Sequence, residues 1–359
     1  MLMPGPGQAA ANRAIAWWLV VVALMVFAMV VLGGVTRLTE SGLSMVDWRP
    51  LLGWLPPGSE ADWQALFERY KKFPEYAKKN PDMDLAGFKA IFWLEYLHRV
   101  LGRVIGLAFL LPLIWFWVKG QIAPGLKPRL VGLFVLGGMQ GVLGWVMVKS
   151  GLVDRPTVSQ YRLAAHLALA VLIYAALLWT AWTLFMDGAK PKIRPPRWLR
   201  VFAVVVFVLI CATLVAGAFV AGLDAGLIYN TFPLMGSGLV PPDLWDAKLG
   251  LLNLFENQVT VQFQHRLLGI ATLFAGFFFW SASRALRFPP ADGPGPLERL
   301  APADRLACST LMLVAGLQAL MGVATLVMFV PVWLGALHQA GALLLITAGL
   351  WVLRRFYPA

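Results

Sequence analysis

The sequence predicts an all-α integral membrane protein: eight transmembrane helices, arranged as two tandem four-helix bundles related by pseudo-two-fold symmetry along the membrane normal. Three observations carry this expectation. Hydrophobic residues make up 59% of the 359 residues and charged residues 13%, with a mean hydropathy of +0.71. Basic residues crowd onto alternate connections between apolar segments. One pattern of glycines, glutamines and histidines occurs twice along the chain.

A helix of ~20 apolar residues crosses a hydrocarbon core about 30 Å thick. Eight segments qualify: 15–35, 94–117, 130–149, 161–184, 201–222, 262–282, 306–328 and 331–352. Lipid leaves no backbone group without an internal partner, and the two-residue alternation of a barrel strand is missing, so helices are expected. The first apolar run is too long for a cleavable signal and has no small-residue cleavage site close behind it. An Arg- and Ser-rich transit stretch is also missing, which favours a bacterial inner (cytoplasmic) membrane.

Residues 36–93 form a long segment between the first two spans. Trp63, Leu66, Phe67 and Tyr70 recur there at helical spacing, and Ser59 with Asp62 reads as a capping-box start. An amphipathic helix across the outer mouth of the first half is expected. Residues 223–261 supply a less charged counterpart in the second half. The stretch 187–200, with Pro191, Pro195 and Pro196, reads as the linker between an N-terminal half, 1–186, and a C-terminal half, 201–359.

The net charge of +12 suggests nucleic acid until its distribution is considered. With the N-terminus inside, the inner connections carry fifteen basic residues against four acidic ones, and the rest of the chain fifteen against fourteen. That is positive-inside asymmetry, with both termini cytoplasmic; a nucleic-acid partner is not expected. Cys211 and Cys308 fall inside predicted spans without a CxxC neighbour, so they read as buried thiols.

The repeat places the chemistry. Gly33–Leu43 (GGVTRLTESGL) matches Gly217–Leu227 (GAFVAGLDAGL), and Gly138–Gly144 (GMQGVLG) resembles Gly316–Gly322 (GLQALMG). Glu95-Tyr96-Leu97-His98-Arg99-Val100-Leu101-Gly102 is answered by Gln262-Phe263-Gln264-His265-Arg266-Leu267-Leu268-Gly269. His166 and His338 follow and complete the four histidines of the chain. Each lies near the start of a helix running from outside to inside, at similar depth. A single membrane histidine reads as a polar bridge between helices. Four at symmetric places read as two pairs of metal ligands, and two imidazoles from different helices suit the opposite faces of a heme. Zinc needs three or four ligands per site, and copper is disfavoured because no cysteine neighbours a histidine in sequence.

Gly102 and Gly269 follow their histidines by four residues, where a side chain would meet a ring plane. Arg99, Arg266 and Arg162 stand near the membrane interface, either to pair with heme propionates or to snorkel to headgroups. Glu95, opposite Gln262 in the repeat, is the sharpest asymmetry. A carboxyl beside a heme moves protons or stabilises positive charge on an oxidised carbon, which an amide does poorly. The competing reading is an interfacial carboxylate paired with Arg99 or Arg103. Ionisable groups near a membrane interior are functional candidates.

Taken together, these residues resemble the heme A synthase family over about Ala14 to Arg355, on its proteobacterial and mitochondrial branch. The resemblance rests on Gly33–Ser44, on the Glu95…His98-Arg99…Gly102 block with its His265-Arg266…Gly269 echo, and on His166 and His338. It implies oxidation of a methyl group of heme O to the formyl group of heme A through an alcohol. It implies substrate heme between His98 and His166 with Glu95 essential, and a heme b between His265 and His338. Some bacterial members carry a cysteine pair in an outer loop, which this chain lacks. Membrane lipid, heme O synthase, an electron acceptor and a second copy of the chain are the partners this suggests. A two-heme b-type electron-transfer protein is the alternative, but it has no use for a lone Glu95.

Overall fold

The computed structural model describes residues 6–46, 54–151, 158–186, 195–288 and 297–357. Among these the regular elements are helical, apart from isolated bridges at Met235–Gly238 and Phe288–Glu298. Eight helices are long and apolar enough to cross a membrane, so the expected class holds and the chain is a multi-pass membrane protein. They are α1 (Pro6–Leu38), α4 (Leu85–Val118), α5 (Lys127–Gly151), α6 (Gln160–Phe185), α7 (Arg197–Gly222), α9 (Gln258–Ala285), α10 (Pro302–Val327) and α11 (Val332–Phe356). Shorter helices α2 (Glu60–Tyr70), α3 (Pro74–Lys79) and α8 (Asn253–Glu256) lie in the connections. Large apolar side chains such as Leu111, Val118, Leu313 and Leu320 stay exposed, as a lipid-facing surface requires and a water-facing one rarely tolerates.

The expected amphipathic helix is α2. Its Ser59 N-cap accepts from the Asp62 N–H while Asp62 reaches back, closing the capping box. Trp63, Phe67 and Tyr70 form its buried face. That face meets a feature the apolar pattern missed, an extension of α4 that begins at Leu85, nine residues before the apolar span. Asp84 caps the extension by accepting from the Gly87 N–H at 2.8 Å. Phe88, Phe92 and Tyr96, one helical turn apart, then pack with the α2 aromatics as one buried cluster. Trp63 meets Phe92 edge-on at 4.9 Å and Phe67 stacks on Phe88 at 5.2 Å. Each such side chain contributes about 1.5–3 kcal/mol on burial. The extension sets His98 about 20 Å from the start of α4, whereas His166, His265 and His338 stay within two turns of theirs.

The chain divides into two compact units, Val21–Tyr174 and Met1–Val20 with Ala175–Ala359. In the second unit α7 packs on α9 and α11, and α10 on the same two, which closes a ring of four helices. In the first, α4 packs on α5, Gly33 of α1 abuts His98 of α4, and Gly144 of α5 abuts His166 of α6. Phe27 of α1 and Tyr174 of α6 complete that ring, 6.3 Å between centroids. The same cyclic order in each is consistent with a four-plus-four repeat. Cys211 and Cys308 are free thiols. Residues 47–53 of the first loop, 187–194 of the expected linker and 289–296 of a basic connection lie outside the described residues.

Candidate active site and metal centres

In the second unit, α9 and α11 bring His265 and His338 together with ring centroids 6.4 Å apart and planes at 85°. A first-row metal sits about 2 Å from an imidazole nitrogen, so two trans imidazoles on one iron place their centroids roughly 6–6.5 Å apart. The pair is therefore spaced to hold an iron between them. Nδ1 of His265 lies 3.0 Å from the Thr213 carbonyl, a contact that orients the ring and leaves Nε2 for a metal. Gln318 donates to the backbone carbonyl of His338 at 2.9 Å and meets its Nδ1 at 3.1 Å. Gly341 makes room for that amide, since a Cβ there would run into Oε1 of Gln318.

Glycines on neighbouring helices back both rings. A Cβ at Gly217 of α7 would fall 2.9 Å from Cε1 of His265, and one at Gly322 of α10 2.9 Å from Cε1 of His338. The first unit repeats the device. A Cβ at Gly33 would lie 3.2 Å from Nε2 of His98, and one at Gly144 3.1 Å from Cε1 of His166. Gln140 donates to the His166 carbonyl at 3.1 Å and meets Nε2 of the ring at 3.3 Å. Nδ1 of His166 is buried without a hydrogen-bond partner. An orphaned imidazole nitrogen next to a glycine-made gap fits a bound metal. His98 and His166 are near enough to act on one another electrostatically. Among the described residues no group of three or more His, Cys, Asp or Glu gathers as a metal site; the imidazoles come in twos.

Glu95 is 2% exposed, and both its oxygens are engaged. Oε2 accepts from the Ser44 hydroxyl and from the Met45 N–H, each at 2.7 Å. Oε1 accepts from two nitrogens of Arg99, at 2.5 and 3.0 Å, and Arg99 also donates to the Met45 carbonyl at 2.8 Å. In the second unit the same frame holds an amide. Gln262, also 2% exposed, donates to the Tyr229 carbonyl at 3.0 Å, and Arg266 donates to that carbonyl at 2.6 Å. Met45 and Tyr229 are equivalent in the repeat, and so are Ser44 and Ile228. The hydroxyl and the carboxylate are thus present together in one unit and absent together from the other.

The remaining expected residues fall out as follows. Arg99 and Arg266 direct donors to protein acceptors, the latter also to the Thr231 and Leu234 carbonyls, while Nε of Arg266 is buried without a partner. Arg162 is exposed one turn before His166. A Cβ at Gly102 would meet Met29 at 3.0 Å, and space beside Gly269 is open. Sequence reasoning overlooked Ser44, Gln140, Gln318 and the four glycines that face the rings. Their signal was present in the repeat, since GMQGVLG and GLQALMG carry the glutamine and the glycine at equal spacing.

Fold and site define a helical membrane protein with paired-histidine centres, one of them flanked by a buried, arginine-held carboxylate. The sequence matches the COX15-CtaA family, cytochrome oxidase assembly protein, over residues 16–350. It is similar to the heme A synthase of Nitrosospira multiformis, 49% identical over 344 residues that cover 96% of this chain and 93% of that one. It is similar to the heme A synthase of Paramagnetospirillum magneticum, 47% identical over 346 residues covering 96% and 94%. Heme A synthase COX15 of Mus musculus is 46% identical over 351 residues covering 96% and 82%. The chain belongs to the cytochrome oxidase assembly protein family.

Proposed function

We infer that this chain is a heme A synthase, a membrane oxidoreductase that converts a methyl group of heme O to the formyl group of heme A through an alcohol. The curated relatives carry that name at near-full coverage. The observation that carries the site assignment is the coordinated difference between Glu95 with Ser44 and Gln262 with Ile228.

In this reading heme O would be held in the first unit by His98 and His166. A heme b in the second, on His265 and His338, supplies one-electron redox chemistry when bound. Glu95 would supply negative charge for the carbon that is oxidised and would take the proton released there. Arg99 keeps that carboxylate in place through two donors, and Ser44 and the Met45 N–H fix its other oxygen. Gln140 and Gln318 hold His166 and His338 in register. Gly33, Gly144, Gly217 and Gly322 keep the space beside the rings clear. Arg162, exposed one turn before His166, would pair with a propionate. The charge asymmetry supports a bacterial inner membrane with both termini cytoplasmic, which puts the sites toward the outer face.

The test is a time course of heme composition in membrane vesicles holding the protein and supplied with heme O. Conversion to the alcohol and then to heme A supports the reading. Bound but unaltered heme O would instead mark an electron-transfer protein.

A further inference from the structure

The connection between α1 and α4 buries a second carboxyl. Glu75 is the buried residue of α3, 3% exposed. Its Oε2 has no hydrogen-bond partner, although the Tyr70 hydroxyl bonds to the carboxyl group. Tyr70 is fully buried, and its oxygen accepts from Asn80 Nδ2 at 2.8 Å, so its own proton is left for Glu75. An orphaned carboxylate oxygen in a buried site calls for an explanation, and packing supplies none.

The charged groups around Glu75 come from every neighbouring element. Glu95 of α4 and Glu40, just past α1, act on it as like charges; Lys79 of its own helix and Tyr70 of α2 act the other way. Tyr70 also feels Glu95. Glu95 and Glu75 are both buried, 2% and 3% exposed, whereas the Glu40 side chain is 44% exposed. Glu40 pairs with Lys79 at 2.7 Å. Glu75 thus interacts with one carboxylate that is buried and with another at the surface.

We propose that Glu75 relays protons between Glu95 and the surface pair Glu40–Lys79. This rests on the heme A synthase reading, whose second step needs such a path. Oxidation of an alcohol R–CH2OH to R–CHO breaks one O–H and one C–H bond. Two electrons go to the acceptor of the reaction and two protons are released, whatever the source of the oxygen. Protons received by Glu95 must then leave a site closed by Arg99, Ser44 and Met45. Burial first, and then the neighbouring carboxylates, push the Glu75 carboxyl up to about 7, where both of its forms are populated near neutrality, as a relay needs. Glu75 touches no reacting atom; it acts through Glu95.

The test uses full-length protein in vesicles with heme O, reading alcohol and aldehyde products between about pH 6 and 9. Glu75→Gln keeps the side-chain shape, so bound heme and its spectrum are expected unchanged. Turnover is expected to fall at least about tenfold, with the alcohol accumulating and the inflection near neutral pH lost. Formate, a small diffusible acid, restores turnover, and Glu75→Asp retains part of it. Wild-type rate and pH profile in Glu75→Gln would overturn the relay, as would a loss that is neither rescued by formate nor pH-dependent. Should Glu75→Gln lose bound heme, Tyr70→Phe is read instead: slowed turnover with a shifted pH profile supports the relay, and an unchanged profile overturns it. If the wild-type protein leaves heme O unaltered, the functional reading itself fails, and that control is read separately.

Discussion

Arg99 grips Oε1 of Glu95 with two nitrogens, one helical turn away on α4, and both side chains are almost wholly buried. Of the two readings of this carboxylate, the ion-paired one is present, and in the proposed function the same pairing holds Glu95 in place for chemistry. Removing one partner of a buried pair costs about 3–5 kcal/mol because the other charge is left uncompensated. Arg99→Leu is therefore expected to lose both stability and heme O oxidation, whereas Arg99→Lys, a single point charge without the fork, recovers stability better than rate. Thermal unfolding in detergent together with product analysis checks both.

Gly322→Ala places a methyl group 2.9 Å from Cε1 of His338. Overpacking of this kind costs about 1–3 kcal/mol, and here it turns the imidazole away from the metal position. The expected result is loss of the low-spin heme b spectrum with heme O oxidation impaired. Gly144→Ala should instead weaken heme O retention and leave the heme b spectrum in place. Absorption spectra of the purified variants separate the two.

Gln318→Leu removes the donor to the His338 carbonyl and the contact to its ring. Loss of a group that orients a metal ligand costs roughly 10–100-fold in affinity. A heme b dissociation rate raised by that order is expected, measured by transfer to an acceptor protein.

Phe88→Ala opens the aromatic cluster under α2, where Phe88 is fully buried against Phe67 and Tyr70. Truncating a buried phenylalanine costs about 3–5 kcal/mol. The short helices are expected to become protease-sensitive while the membrane helices persist, a pattern that limited proteolysis resolves.

Stability of that same region should depend on pH through Glu75. Its carboxyl is pushed up from an ordinary 4.5 to about 7, by burial first and then by Glu95 and Glu40. The folded state therefore holds the proton more tightly than the unfolded chain does. The contribution is fully present below about 4.5 and is lost as pH rises through about 7. Hydrogen exchange of α2 and α3 is expected to quicken from pH 5 to pH 8 after correction for the intrinsic rate, and Glu75→Gln should flatten the trend.

The eight membrane helices were legible because hydropathy over ~20 residues is a strong signal, and α2 because its capping box and aromatic spacing agree. The extension of α4 was not, since Lys89 and Glu95 cut the apolar residues there into short runs. The histidines and Glu95 could be read from the repeat. Ser44 and the Met45 N–H could not, because they reach Glu95 from about fifty residues away and a main-chain donor carries no residue signature. Spacing within one helix singles out Gly102 and Gly269. Close approach between helices singles out Gly33, Gly144, Gly217 and Gly322, and only packing reveals which helices are neighbours.

In the proposed function two similar centres differ in role through Glu95. That difference is tested most directly by the hemes extracted from purified wild type and Glu95→Gln, each produced with heme O supplied, and identified by chromatography and mass. Heme b is expected in both proteins, heme A or its alcohol precursor in the wild type, and unaltered heme O in the variant. Heme A at wild-type level in Glu95→Gln would contradict that role.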